Sequence, residues 1–316
     1  MKIVIAGGSG FVGQHVSRLL IHSGHEVMLL SRQSSENISL NNIHARHIQW
    51  DGCSQGAWTR ECEGADVVIN LSGAPIADKR WTAKRKRELI DSRVVSTRAL
   101  GEAIRRWETK PHTFLTASGI GYYGAQGATK VDETFPPGDG FLADLCVKWE
   151  NAAQQIETAD LRVLQVRFGM VLGLDGGALP KMIFPFQWFL GGPILPGTQF
   201  VSWIHQQDLA QLILFLISHP SIVSHPSIQG PVNAVAPNPV TMQDFCQALG
   251  KAMNRPSWFP VPEFVLETAL GELASMLTTG QRVEPQQALQ NGFSFAYPTL
   301  SAALDEIFSN HSTRKD

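Results

Sequence analysis

The first residues with a chemistry of their own lie at the start of the chain. AGGSGFVG, residues 6–13, holds Gly7, Gly8, Gly10 and Gly13. Gly8, Gly10 and Gly13 fit G-x-G-x-x-G; Gly7, Gly10 and Gly13 fit G-x-x-G-x-x-G. Each glycine has a mechanical reason. The first makes a tight turn, the second lets a pyrophosphate approach the backbone, and the third lets helix pack on strand. The helix that follows opens at Phe11, Val12 and Gly13, whose free N–H groups suit phosphate oxygens. A glycine pattern alone is weak, but this one follows an apolar β-branched run and opens a helical period, the context it needs.

The second strand's end reports which dinucleotide such a site takes. An NAD site wants Asp or Glu about 20 residues on, to hold the ribose hydroxyls. This chain has Ser31-Arg32 there. A guanidinium suits a 2′-phosphate by charge and by its fork of donors, and Ser9 adds a hydroxyl in the turn. NADP is therefore expected over NAD; the bland reading of Arg32 is an exposed loop arginine. Asp51 either accepts from the adenine amino group or forms a turn before Gly52. Leu71, Ser72 and Gly73 end the fourth strand and are expected beside the cofactor ribose, because an open α/β sheet binds ligands at its carboxyl strand ends.

The elements that must position these residues alternate. Strands are expected at 2–6, 26–32, 47–50, 65–73, 112–119 and 161–173, with helices after the glycine turn, near 83–107 and from about 141. Several strands read as near-continuous apolar runs, the mark of burial on both faces. The expected fold is α/β: a Rossmann-type doubly wound parallel sheet with a smaller C-terminal substrate domain. The NADP-binding domain takes 1–173, with 201–237 returning to it as strand, helix and a last strand. Residues 174–200 and 238–316 form the substrate-side part. SHPSIVSHPSIQ (218–229) is a six-residue near-duplication, read as an exposed loop insertion. His219 and His225 within it have no third ligand nearby, so no metal is expected.

The totals exclude other classes. The chain has 316 residues, 43% hydrophobic and 17% charged, with a net charge of -2. Nothing there is a nucleic-acid footprint. ADKRWTAKRKREL (77–89) is locally basic and reads as a solvated helix face or as a phosphate-facing rim. The cysteines Cys53, Cys62, Cys146 and Cys246 form no C-x-x-C pair, which suits a reducing compartment. LAQLILFLI (209–217) is too short to span a bilayer, and the N-terminus does not read as a signal peptide. A cytoplasmic protein with a small-molecule substrate, and without membrane or nucleic-acid partners, is expected.

AGGSGFVG, the strand-end serine in LTASGIGYYG, and RFGMVLG followed by SWIHQQDLA resemble the extended short-chain dehydrogenase/reductase superfamily. NLSGAPIADKRWTAKRKREL, SGIGYYG, Trp149-Glu150, DGGALPKM, GGPILPG and VSWIH resemble an atypical branch more narrowly. Its members are labelled "epimerase family protein", or in bacteria "cell division inhibitor-like". They carry a C-terminal domain of unknown function, which residues 250–300 resemble. The resemblance covers nearly the whole chain. It implies a nicotinamide cofactor, with Arg167 in RFGMVLG among the cofactor-site residues, and, by analogy alone, a helix-bundle homodimer.

The superfamily's machine is Ser or Thr with Tyr-x-x-x-Lys, often followed by a Glu four residues after the lysine. Anchoring GFLADLCVKWEN (140–151) on Glu150 puts Cys146 at the lysine position and Leu142 at the tyrosine position. Neither can do that work. Lys148 lies about 200° around the helix from Cys146. Asp144-x-x-x-Lys148 keeps the spacing, but a carboxylate substitutes poorly for a phenol. The remaining proton donors are Tyr122 and Tyr123, which follow Ser118; the bland reading is a structural Tyr-Gly. Cys146 is either a reactive thiol or a small buried residue. His205 is expected to bond Asp208 or the backbone. Arg80, Trp81, Lys84 and Trp203 are placed on the substrate side. Two functions fit: an NADP-dependent oxidoreductase or epimerase-like enzyme with nonstandard acid/base groups, or a catalytically silent NADP(H) sensor acting through a partner.

Overall fold

The computed structural model describes residues 1–32, 45–156, 161–218 and 228–312. His219, His225 and most of the near-duplicated segment lie outside them. The strands are β1 (Lys2–Ala6), β2 (Glu26–Ser31), β3 (Arg46–Gln49), β4 (Val67–Asn70), β5 (Thr113–Gly119), β6 (Lys130–Val131), β7 (Arg162–Phe168), β8 (Met170–Leu172), β9 (Phe200–Val201), β10 (Trp203–His205), β11 (Gly230–Ala234), β12 (Val240–Thr241) and β13 (Arg282–Val283). The helices that matter below are α1 (Phe11–His22), α2 (Ala57–Cys62), α3 (Ala83–Arg106), α4 (Phe141–Gln154), α5 (Leu179–Gln187), α6 (Gln206–Ser218) and α7 (Met242–Met253).

Seven strands form one parallel sheet in the order β11-β7-β5-β4-β1-β2-β3. The order reverses at β1, so the crevice between the carboxyl ends of β1 and β4 is where this topology seats a ligand. Apolar side chains from alternate strand positions feed two cores. One face packs Ile3, Ile5 and Leu29 against Val16 and Leu20 of α1 and Leu212 and Ile213 of α6. The other packs Val4, Met28 and Val68 against Trp58 of α2 and Leu100 and Ile104 of α3. That double burial is why β1 and β4 carry unbroken apolar runs.

The expected sixth strand, 161–173, is in fact two. A Cβ at Gly169 would lie 2.6 Å from the Ser202 carbonyl oxygen, so the chain turns there on glycine. β8 then leaves the main sheet and pairs with β10. A third core, around Leu179, Phe186, Trp203, Phe245 and Leu304, holds the C-terminal part together. Among the described residues, no helix is long and apolar enough to cross a membrane.

Candidate functional site

The glycine turn has the geometry its spacing predicts. Gly7 has φ +79°, and a Cβ there would lie 2.8 Å from the Leu71 carbonyl. A Cβ on Gly13 would lie 2.4 Å from the Gly7 oxygen and 2.6 Å from the Gly8 Cα. These two glycines hold the first turn, the start of α1 and the end of β4 together. Gly10 differs: it is exposed, and the only neighbour a Cβ would meet is the Gly7 oxygen at 3.4 Å. The open face is therefore at Gly10, as G-x-x-G-x-x-G requires. No side chain caps α1, and its first turn holds no acidic residue. The positive end of the helix and its free amides stay available to an anion. Residues of this kind fit a dinucleotide's pyrophosphate.

The neighbouring contacts sort themselves by geometry. Gln14 Nε2 holds the Ser9 carbonyl at 2.9 Å. The Phe11 ring packs beneath Gly173, Gly176 and Gly177 and edge-on to His15, so its side chain is taken up by packing. Ser31 is buried at the end of β2, and Arg32 is exposed beside it. For Asp51 the turn is what the structure shows. Its carboxylate accepts from the Cys53 and Ser54 amides at 2.8 Å and from the Ser54 hydroxyl at 2.5 Å. Those bonds, the hydroxyl first, hold its carboxyl well below the usual carboxylate range. The turn reading is the one the geometry carries. Ser72 donates its amide to Asn70 Oδ1 at 3.1 Å, and Gly73 is exposed at the crevice.

At the end of β5 the structure assembles a buried chain of hydrogen bonds. The Ser118 hydroxyl donates to Glu150 Oε1 at 2.7 Å. Arg167 Nε and Nη2 donate to the two oxygens of Glu150 at 2.8 Å each. Arg167 Nη1 donates to the Tyr123 hydroxyl at 2.9 Å, which donates to Asn233 Oδ1 at 2.7 Å. The Asn233 amide reaches Glu133 Oε1 at 2.9 Å. Burial alone would lower Arg167; the bonds and charge of Glu150 more than reverse it and hold the guanidinium firmly protonated.

Two expectations change here, for Arg167 and Ser118, and two open readings, of Tyr123 and Cys146, resolve to the bland one. Arg167 is buried in an ion pair and so is a strut rather than a cofactor contact. Tyr123 is fully buried and its hydroxyl already donates to Asn233, so it offers no proton to a substrate; burial also pushes it up to about 12. Cys146 is buried, its thiol rests on the Gly119 carbonyl at 3.5 Å, and burial pushes it up to about 11. It is an inert filler, not a nucleophile. Ser118 gives its proton to Glu150, so it orients the site rather than offering a free donor.

Tyr122 is the residue the geometry leaves available. It sits in the 3-10 turn Ile120–Tyr123 that follows β5. Its ring is half-buried and stacks on the Arg167 guanidinium at 3.5 Å. Its hydroxyl makes no hydrogen bond to a described residue. The ring belongs to an apolar cluster with Trp81, Leu142, Cys146, Leu270 and Leu273. Leu142 and Cys146 thus occupy the catalytic-helix positions as apolar wall, and Lys148 points outward, exposed.

On the substrate side, Trp81 lines that cluster, with Nε1 on the Ile76 carbonyl. Arg80 is exposed and reaches the Thr268 carbonyl at 3.2 Å; Lys84 is exposed. Trp203 is a correction: it is fully buried in the C-terminal core, with Nε1 on Asn238 O. His205 accepts the Gln207 backbone N–H on Nδ1 at 3.2 Å, the backbone bond being one of its two expected partners, and bonds Glu306 at 2.9 Å rather than Asp208, which instead accepts from the Ala296 and Tyr297 amides. The basic run at 77–89 is mostly a solvated face, except for buried Arg85. Among the described residues, no cluster could hold a metal.

Sequence reasoning missed Arg93. It is 6% exposed on α3, with Nη2 on the Ala74 carbonyl at 3.0 Å and Nη1 on Leu89 O at 3.0 Å. A signal existed. Arg85, Leu89, Arg93, Thr97 and Leu100 recur at helical spacing, so the basic residues share a buried stripe.

The comparisons agree with this architecture. The NAD dependent epimerase/dehydratase family matches residues 3–229, and a domain of unknown function, DUF1731, matches 261–307. The chain is 38% identical over 315 residues to the epimerase family protein YfhF of Bacillus subtilis, which covers 99% of this chain and 100% of that one. It is 37% identical over 311 residues to the epimerase family protein SDR39U1 of Mus musculus, across 97% of this chain and 99% of that one. The crystal structure of human SDR39U1 isoform 2 with NADPH is 34% identical, with a TM-score of 0.87 over 98% of this chain and 100% of that chain. A UDP-glucuronic acid 4-epimerase from Bacillus cereus, 16% identical with a TM-score of 0.77 over 99% of this chain and 100% of that one, shares the fold. The seven-stranded sheet, its glycine turn and these matches place the chain in the NAD-dependent epimerase/dehydratase family, within the epimerase family protein group that carries DUF1731 at its C-terminus.

Proposed function

We propose that this chain is an NADPH-dependent reductase or epimerase-like enzyme in which Tyr122 is the proton donor. The observation that carries this is the position of Tyr122: it is the one phenol at the end of β5 with an uncommitted hydroxyl, held on Arg167 beside the crevice. When bound, NADPH supplies a hydride to a substrate carbonyl carbon. Tyr122 gives its proton to the carbonyl oxygen and regains one from solvent. Glu150 and Arg167 fix the Tyr122 ring, and Ser118 fixes Glu150. Gly10 and the first amides of α1 bind the pyrophosphate, and Arg32 with Ser31 and Ser9 takes the 2′-phosphate. The NADPH in the human relative's structure supports the choice over NADH.

A second reading has its own observation. Leu142 and Cys146 stand in the apolar wall where the usual acid/base pair would act, which suits a protein that binds NADP(H) without turnover and acts through a partner. Calorimetric titration with NADPH and NADH comes first, on the wild type and Arg32→Ala. A screen of carbonyl compounds, followed by NADPH absorbance, comes second. Consumption that Tyr122→Phe lowers by roughly a hundredfold supports the enzyme. Tight NADPH binding with no turnover across the panel favours the sensor. No binding of either nucleotide overturns both.

A further inference from the structure

The catalytic helix has lost its lysine, yet the structure puts a buried cation at the same end of the sheet. Arg93 comes from α3, not α4. It lies behind Gly73: a Cβ on that glycine would sit 2.9 Å from the Arg93 guanidinium carbon. Gly73 itself is exposed just beyond the end of β4. The guanidinium stands 5.1 Å over the Trp149 ring of α4. Nη1 donates to Leu89 O and weakly to Ser92 Oγ at 3.4 Å, and Nη2 donates to Ala74 O. Nε has no partner among the described residues. The Ser92 hydroxyl takes the Ala74 amide at 3.0 Å, so adjacent residues of α3 clamp the turn that ends β4.

We infer that Arg93 supplies the site's buried positive charge in place of the missing lysine, and that this charge makes the site prefer NADPH over NADP+. The inference rests on the cofactor reading above. Burial pulls the Arg93 guanidinium down to about 10, which leaves it charged at neutral pH. Among the described residues no carboxylate pairs with it: every bond it makes is to a carbonyl or a hydroxyl. A buried charge with no ionised partner among the described residues acts over several ångströms with less screening than a solvated one. Oxidised nicotinamide carries a positive charge on its ring and reduced nicotinamide does not, so only the oxidised form is repelled. The glycine at 73 fits this role. It keeps a side chain from separating the guanidinium from whatever lies against the turn.

The test is a pair of titrations of the full chain, one with NADPH and one with NADP+. Wild type is expected to bind NADPH more tightly. Arg93→Gln and Arg93→Met, both neutral, are expected to cut the ratio Kd(NADP+)/Kd(NADPH) by roughly fivefold or more. Arg93→Lys keeps the charge and is expected to hold the ratio within about twofold. A purely structural clamp predicts another pattern: both nucleotides weaken together and the ratio stays. That pattern overturns the inference. So does a wild type that binds NADP+ as tightly as NADPH, a result that needs no variant to fold. A wild type that binds neither nucleotide fails earlier, at the cofactor reading, and takes this inference with it.

Discussion

Glu150 and Arg167 face each other across the end of the sheet in a two-pronged ion pair, with both N–O distances at 2.8 Å and both side chains buried. The pair also anchors Ser118 on one side and Tyr123 on the other. A buried pair adds little net stability over an apolar substitute, but removing one partner strands the other charge. Glu150→Ala is therefore expected to cost about 3–5 kcal/mol of unfolding free energy, read from urea denaturation. Glu150→Gln keeps an acceptor for Ser118 and should cost less. A loss under about 1 kcal/mol in the alanine variant would show that the pair behaves like a surface contact.

The glycine turn separates folding from binding. A Cβ at Gly10 meets only one atom, at 3.4 Å, and its φ of -75° suits any residue. Gly10→Ala should fold with stability within about 0.5 kcal/mol of wild type and lose roughly tenfold or more in NADPH affinity. Gly13→Ala has no such freedom, because its Cβ would press on three backbone atoms of the turn. It should lose about 1–3 kcal/mol of stability as well as binding. Thermal melts and calorimetry on both variants distinguish the two roles. Equal behaviour of the two would mean that Gly10 does not face the ligand.

Much of this was legible in the chain because it is local. Strand-and-helix alternation is written as apolar runs, since both faces of the sheet are covered. The glycine turn is written as spacing, since steric room decides it within a few residues. The division of the sixth strand at Gly169 was not legible, because the atom that forbids a side chain there belongs to Ser202. Tyr122 and Tyr123 are adjacent and alike in sequence. Arg167 and Asn233, both distant in sequence, decide which phenol is spent. Arg93 looked like one basic residue among many, since its buried stripe shows only when α3 is read at helical spacing. His205 finds its expected backbone partner in the neighbouring Gln207 amide, but its carboxylate is on the last helix and not at nearby Asp208.

The cysteines give a quick check on the inert reading of Cys146. Of four thiols, Cys53 is exposed and the other three are buried. Burial pushes Cys62 and Cys246 up to about 12 and Cys146 up to about 11. Ellman's reagent on the native protein near neutral pH should label one thiol promptly and the remaining three only after unfolding. Cys146→Ala should keep its NADPH affinity. Prompt labelling of Cys146 in the native state would restore it as a reactive group.

Glu133 closes the far end of the chain of bonds, and it titrates in an instructive direction. Its Oε1 accepts from the Asn233 and Gln287 amides at 2.9 and 3.2 Å. Its Oε2 is buried with no partner among the described residues. Burial raises its pKa above the ordinary carboxylate value, outweighing the amide bonds. With the folded value above the unfolded one, of roughly 4.3, the folded state binds the proton more tightly. The stability this contributes is full below the unfolded value and is lost as pH rises through the folded one. Above the folded value the ionised group is a burden. Glu133→Gln keeps an acceptor for both amides and removes the titration. The variant's stability relative to wild type should be highest near pH 7–8 and should fall as pH drops toward about 4.5. Urea denaturation across that range measures the difference directly. A difference that stays flat, or grows on acidification, would mean that Oε2 finds a partner that holds its charge, and that the network ends in an ion pair rather than in an uncompensated carboxylate.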